Sequence, residues 1–316
     1  MSDVMIEVDN LTKLYGDFIA IEGLTFNVSR GEVVGFLGPN GSGKTTTMRI
    51  LTGFIPPSHG TVKIAGYNIL SESLKARGYI GYLPETVPLY TDMTVEDYLE
   101  YMGTLKGMDK TKVHKRINQV IEQVRLQEYQ HTLIGKLSKG YRQRTGLAQA
   151  ILHEPEVLIL DEPTIGIDPI QVVETRDLIK ELGRDHTILL SSHILSEVSI
   201  LCQKVMIINQ GALLAEDTPN NLSQRLQATD RVEVEIRGDN ATVITALRAI
   251  ADVVDVKSQG QADLHTYTVE SRQNIDVREP IVHTVVEHGW GLLRLNPTAM
   301  SLEEIFLQLT TADESR

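Results

Sequence analysis

Short apolar runs separated by glycine open the chain. Val4–Val8, Leu24–Val28 and Glu32–Leu37 predict strands joined by Gly-containing turns. A helix is predicted from Lys44, and a further strand near Thr61–Ala65. From Pro84 the period changes. Val95, Tyr98, Leu99 and Met102, then Val113, Ile117, Val120, Ile121 and Val124, recur at helical spacing. Thr94 with Asp97 reads as a capping box for the first of these helices. Residues 86–152 are therefore expected to form a helical insert between two strand-rich halves.

Strand–helix alternation then returns. Val157–Leu160 and Ile188–Leu190 are continuous apolar runs, as expected of parallel strands covered on both faces. Asp168-Pro169 supplies an N-cap followed by proline at the first helical position. Val205–Ile208, Gly211 and Ala212–Ala215 read as a hairpin, and Thr218-Pro219 as the start of a short exit helix. The first domain is placed at 1–219. Beyond it, Arg231–Arg237, Val253–Lys257, His265–Val269 and Gly291–Leu295 predict strands, with a turn at Gly260. Thr242–Ala251 and Val277–His288 predict helices, and Ser301–Leu309 a closing helix capped by Ser301 with Glu304. This second unit, 220–316, has the order βαββαβ of a small α+β, ferredoxin-like module.

A length of 316 residues suits two domains, and 41% apolar with 23% charged residues is ordinary globular usage, so a core forms without staples. Cys202 is the only cysteine. An internal disulfide is excluded, and a small buried hydrophobe is the simpler role for this thiol. The runs above have the length of buried strands and fall well short of a bilayer span. Asp3 and Glu7 give the N-terminus no signal-peptide order. A soluble protein is expected, one that reaches a membrane only by docking. The formal net charge of −12 argues against non-specific nucleic-acid binding.

Candidate chemistry begins at Gly38-Pro39-Asn40-Gly41-Ser42-Gly43-Lys44-Thr45, followed by Thr46, which matches the P-loop pattern between a predicted strand and a predicted helix. Its glycines let backbone N–H groups wrap phosphates at the positive end of the helix. Lys44 is placed to reach the β- and γ-phosphates, and Thr45 to ligate Mg²⁺. The strand Val157–Leu160 then delivers Asp161 to hold Mg²⁺, and Glu162 to polarise the attacking water as general base.

Upstream of that strand, Leu137-Ser138-Lys139-Gly140-Tyr141-Arg142-Gln143-Arg144 resembles the signature sequence of the ABC ATPases. His193 occupies the position of that family's switch histidine. Tyr15 matches the aromatic that stacks on adenine, and Ile167-Asp168 the loop that crosses the dimer interface. The resemblance covers about residues 3–225. It implies an α/β P-loop NTPase cassette with an antiparallel β subdomain and a helical subdomain. It also implies that two cassettes pack head to tail around ATP and Mg²⁺, with Ser138 and Gly140 clasping the γ-phosphate of the partner's ATP. Such a cassette hydrolyses ATP to drive polytopic transmembrane permease subunits, and sits peripherally on the cytoplasmic face of the membrane through them.

Departures accompany the match. Lys139 and Tyr141 replace usual signature residues, Glu85 stands where a Q-loop glutamine is usual and would join the metal site, and Ile165-Gly166 replace a small polar pair. These variants look like those of exporter ATPases for drugs, lipids or polysaccharides and of the gliding-machinery type. Two soluble rivals fit less well. Relatives acting on ribosomes or translation carry two cassettes with a basic linker, and chromosome-type relatives need a long coiled-coil insert. An import ATPase is the remaining transporter reading.

Several assignments stay open at this level. Tyr15 serves either adenine or the strand core. The loop Thr86–Met93, with Tyr90, is either a docking site for the membrane partner or an ordinary loop. Lys136, Lys139, Arg142 and Arg144 form either a solvated helix face or an aid to phosphate binding.

Overall fold

The structure, a computed structural model, describes residues 4–225, 229–261, 264–272 and 275–298. The chain divides into two compact units, Met1–Pro219 and Asn220–Arg316.

In the first unit, β1 (Val4–Tyr15) and β2 (Phe18–Ser29) pair antiparallel, and β4 (His59–Ile64) and β5 (Tyr67–Asn68) extend the sheet in the order β2-β1-β4-β5. Both opening strands are much longer than expected. Their outer ends pair Leu14 with Ile19 and Tyr15 with Phe18, and all four side chains are exposed, so no burial pattern marks these ends as strand.

A six-stranded sheet carries the chemistry. It contains β3 (Val33–Leu37), β6 (Ile80–Leu83), β7 (Val157–Asp161), β8 (Thr187–Ser192), β9 (Lys204–Asn209) and β10 (Ala212–Asp217), in the order β10-β9-β3-β8-β7-β6. All neighbours run parallel except β10, which returns antiparallel on β9. Every residue of β3, β7 and β8 is buried, the result of covering both faces of a parallel sheet. Helices α1 (Lys44–Leu51) and α2 (Ser73–Gly78) lie between these strands in sequence, and α6 (Pro169–Leu182) and α7 (Leu195–Leu201) flank β8.

The insert comprises α3 (Val95–Leu105), α4 (Lys110–Gln123) and α5 (Lys139–Ile151). The apolar stripe Val95, Tyr98, Leu99 with Val113, Ile117, Val120 and Ile121 is buried. Thr94 accepts from the Asp97 N–H at 3.2 Å, but the Asp97 carboxylate accepts from the Thr94 hydroxyl instead of reaching the N-cap N–H. Only half of a capping box forms. Among the described residues no helix is long and apolar enough to cross a membrane. Cys202 is buried, and burial pushes its thiol pKa up.

His153, just past α5, has an acid-sensitive setting. Its Nε2 lies 3.0 Å from the Ile80 carbonyl, and its Nδ1 is buried without a partner. Burial, with Lys106 nearby, holds the ring down to a pKa of about 4. An unfolded histidine titrates near 6.5, so between pH 6.5 and 4 the unfolded chain takes up a proton that the folded one refuses, and stability is lost as pH drops through that window. The expected loss across that window is about 3 kcal/mol. Urea midpoints of wild type and His153→Gln, compared from pH 7.5 to 5, should diverge at high pH and converge at low pH. Parallel curves would place the acid sensitivity elsewhere.

The exit helix expected at Thr218-Pro219 forms as α8 (Pro219–Arg225), and β11 (Thr229–Arg237), α9 (Asn240–Arg248), β12 (Val253–Gln261), β13 (Leu264–Arg272), α10 (Arg278–Glu287) and β14 (Gly291–Thr298) then follow one another in the second unit. The strands form an antiparallel sheet ordered β12-β13-β11-β14. Val232, Val234, Ile236, Tyr267 and Val269 of the sheet pack with Val243, Leu247, Ile281 and Val285 of the helices. Two expectations need correction. Gly260 is a strand residue paired with His265, because the hairpin continues to Gln261↔Leu264. Helix α9 starts earlier than Thr242, because Asp239 caps it by accepting from the Thr242 N–H at 3.1 Å. The expected helix Ser301–Leu309 lies outside the described residues.

Candidate active site

Strand β3 ends at Leu37, and residues Gly38–Gly43 wrap into the N-terminus of α1. Gly43 takes φ 104°, and a Cβ there would meet the Ala20 carbonyl at 2.7 Å, so the turn excludes any side chain. No side chain caps α1 and its first turn holds no acid. Its free N–H groups and positive dipole end therefore face the loop. Lys44 is 6% exposed, with Nζ donating to the Gly38 carbonyl at 2.7 Å and the Pro39 carbonyl at 3.2 Å. The same ammonium lies 3.4 Å from Glu162 Oε1. Ser42 Oγ is buried with no partner.

The carboxyl end of β7 lies across from this loop. Asp161 is fully buried, and its Oδ1 accepts from Ser191 Oγ at 2.6 Å and from Thr45 Oγ1 at 3.3 Å. Its Oδ2 is buried without a partner. Burial pushes the Asp161 carboxyl above its ordinary range against the pull of the Ser191 and Thr45 bonds, and the Glu162 and Glu85 carboxylates add to the rise. Glu162 follows with φ 49°, a left-handed conformation costly for a side-chain-bearing residue. Its N–H donates to Ser191 Oγ at 2.9 Å, which holds the backbone in that turn. Its Oε2 lies 2.8 Å from His193 Nδ1. Both carboxylate oxygens of Glu162 are thus engaged, one by Lys44 and one by His193.

Tyr15, Asn40, Gly41, Gly43, Lys44, Thr45, Thr46, Glu85 and Glu162 line one cleft of about 410 Å³, with Phe18, Ala20 and Ile165 completing the wall. Tyr15 is about half exposed at the end of β1, under the Lys13 ammonium at 5.2 Å, so it is not part of the strand core. An unpartnered buried carboxylate oxygen beside a hydroxyl, facing bare helix N–H groups, offers hard oxygen donors for a small divalent cation and N–H donors for phosphate.

Ser138, Gly140 and Asp168 do not line this cleft. Ser138 caps α5 and Asp168 caps α6, where it accepts from the Gln171 N–H at 3.1 Å. Arg144 departs from both readings of the basic cluster. It is 3% exposed and paired with Glu174 of α6, so it neither faces solvent nor is free for phosphate. Two contributors were not singled out in the sequence. Ser191 lies on β8 two residues before His193, which follows the strand's end, and Phe18 pairs with Tyr15 across the Gly16-Asp17 turn. No local pattern marks either one, because each owes its place to the neighbouring strand.

The pattern of the family described as ABC transporter matches residues 21–165. The chain is 36% identical over 307 residues to the bacitracin transport ATP-binding protein BcrA of Bacillus licheniformis, covering 96% of this chain and 97% of that one. It is 33% identical over 309 residues to the linearmycin resistance ATP-binding protein LnrL of Bacillus subtilis, with 97% and 98% covered. The Nod factor export ATP-binding protein I of Ralstonia nicotianae is 33% identical over 315 residues, with 98% and 94% covered. A solved structure of an ATP-binding subunit of an ABC transporter superposes with a TM-score of 0.64 at 30% identity, over 70% of this chain and 92% of that chain. Relatives acting on translation find no support here. With its phosphate loop, its Asp161–Glu162 strand end and relatives matched along almost their whole length, the chain belongs to the ATP-hydrolysing, ATP-binding proteins of ABC transporters.

Proposed function

We propose that this chain is the motor subunit of an exporter, working as a pair of copies beneath separate transmembrane permease subunits. The observation that carries the reading is the split of the site. The cleft is lined by the phosphate loop and Glu162, with Asp161 bonded to Thr45 and His193 to Glu162 behind them, whereas Ser138 and Gly140 lie at a different helix terminus. A second copy supplies the missing wall when its Ser138 and Gly140 close over the γ-phosphate, with Asp168 on the crossing loop.

In this reading Gly38, Pro39, Asn40, Gly41, Ser42, Gly43, Lys44, Thr45 and Thr46 cradle the phosphates of ATP, and Tyr15 with Phe18 stacks on adenine. Thr45, Asp161 and Glu85 would hold Mg²⁺, which when bound offsets the charge on the β- and γ-phosphates. Lys44 exchanges Glu162 and the two loop carbonyls for phosphate oxygens, freeing Glu162 Oε1. Glu162 then accepts a proton from the attacking water while His193 keeps Oε2 in place. Water oxygen bonds to the γ-phosphorus, and the bond to the β-phosphate oxygen breaks with its electron pair leaving on ADP.

The printed names of BcrA, LnrL and the Nod factor protein support export, and membership of the ATP-binding proteins of ABC transporters supports a peripheral place on the cytoplasmic face. A groove of about 350 Å³ beside the loop Thr86–Met93 favours docking there. Arg49, Arg77, Lys106 and His153 line it with Phe54, and none of its lining residues is acidic. The division at 219/220, and the strand order of the second unit, support a cassette followed by a ferredoxin-like accessory domain.

The test is to tag Glu162→Gln in its native cell, solubilise membranes with ATP and Mg²⁺ present, and identify what co-purifies. A stoichiometric polytopic membrane protein is expected. Recovery of the chain without any membrane protein would overturn the transporter assignment and leave the ATPase chemistry standing.

A further inference from the structure

The sequence Asp168-Pro169-Ile170-Gln171 has the form of a helix capping box, in which the fourth side chain would turn back to the N-cap N–H. Gln171 does something else. Its Nε2 reaches across to α5 and donates to Ser138 Oγ at 3.4 Å. Its Oε1 is buried without a partner and presses on Gly140, so that a Cβ on Gly140 would collide with it. The Arg144–Glu174 pair fastens the same two helices one turn further on.

The consequence lies in the hydroxyl of Ser138. A serine oxygen has two lone pairs and one proton. One lone pair takes the Tyr141 N–H at 3.4 Å, the helix cap. Gln171 Nε2 takes the other. With both acceptor positions filled from inside the chain, the O–H can act only as a donor, aimed away from both helices. A donor at a helix N-terminus is the group that an anionic oxygen requires.

We infer that Gln171 is a positioning residue that holds the Ser138 hydroxyl as a dedicated donor for the γ-phosphate of the partner's ATP, so that the interface loop and the signature helix of one chain present that donor together. The inference rests on the reading of Ser138 and Gly140 as the clasp on the partner's nucleotide. Gly140 is required in the same arrangement, because only a bare backbone leaves room for the carboxamide.

The test uses the full chain in the Glu162→Gln background, where ATP drives dimer formation without turnover. Sedimentation gives the ATP-dependent dimerisation constant, and a fluorescent ATP analogue, added below the dimerisation concentration, gives the affinity of the monomer. Gln171→Glu offers Ser138 acceptors only, so the hydroxyl turns inward. Dimerisation should weaken at least about ten-fold while monomer affinity stays within about two-fold. Gln171→Met keeps the bulk over Gly140 without the amide and should weaken dimerisation about three- to ten-fold. In a Ser138→Ala background Gln171→Met should add nothing further, because the amide has lost the hydroxyl it acts through. Additive losses would overturn the inference and leave Gln171 as packing. If Ser138→Ala weakens the dimer but neither Gln171 variant does, the inference alone fails. If Ser138→Ala leaves the dimer intact, the clasp reading fails and takes the inference with it.

Discussion

Replacing Glu162 by glutamine should lower steady-state phosphate release by about a thousand-fold, in the range expected for losing a general base. ATP binding should survive. The substitution preserves the side-chain shape in a turn whose φ of 49° already restricts what fits, and the amide oxygen can still accept from Lys44 or His193. What disappears is the carboxylate that takes the proton from water. Because bound ATP then persists, the variant should elute as a dimer with ATP and Mg²⁺ and as a monomer with ADP. Phosphate release assayed beside light scattering after gel filtration separates the possibilities. Turnover within ten-fold of wild type would remove Glu162 from the role of base. Lost turnover without an ATP-dependent dimer would mean that the substitution had damaged binding instead.

The cassette was legible because its strands and loops obey strong local rules. The runs Val157–Leu160 and Ile188–Leu190 are apolar on every residue, which a parallel sheet covered on both faces demands, and they became the cores of β7 and β8. The phosphate loop needs glycines at fixed positions for steric reasons that a sequence displays directly. Residues whose placement depends on a second element were harder to see. Ser191 works because β8 lies next to β7, so its hydroxyl meets both Asp161 and Glu162, and nothing local marks it. Arg144 reads as one basic residue among four, yet its burial and its pairing with Glu174 follow from how α5 lies beside α6. Tyr15 stayed ambiguous for the opposite reason. The outer ends of β1 and β2 lack the buried alternation that identifies a strand, and only their register puts Tyr15 beside Phe18 at the cleft.

The same distinction explains the second unit. Its element order was readable from periodicity, but the Gly260 turn was not, since glycine within a strand looks like a turn until its partner is known. The shape of the helix start at Asp168 was correctly read from Asp-Pro. The direction taken by Gln171 was not, because a capping box is a local expectation and the side chain answers to α5 instead.

Lys44→Ala should raise the dissociation constant for ATP at least about a hundred-fold, the equivalent of roughly 3 kcal/mol. Among the described residues that line the cleft Lys44 is the one cation, with carbonyls and a carboxylate around it, so none of them can replace it against phosphate. Stability should change as well, and the size decides between two effects. Breaking a fully buried ion pair by removing one partner costs about 3–5 kcal/mol. Glu162, however, lines the open cleft and keeps His193 as a partner, so water can reach the freed oxygen. A loss of about 1–2 kcal/mol is therefore expected for the nucleotide-free chain, close to that of one charge-assisted hydrogen bond. Adding Glu162→Gln should recover most of it, because the uncompensated carboxylate is then gone. Calorimetric titration with ATP and urea unfolding of Lys44→Ala, Glu162→Gln and the double variant measure both quantities. ATP affinity within ten-fold of wild type would exclude Lys44 as the main phosphate contact. A double variant no more stable than Lys44→Ala would show that the lost stability came from the Gly38 and Pro39 carbonyls, with Glu162 contributing nothing to it.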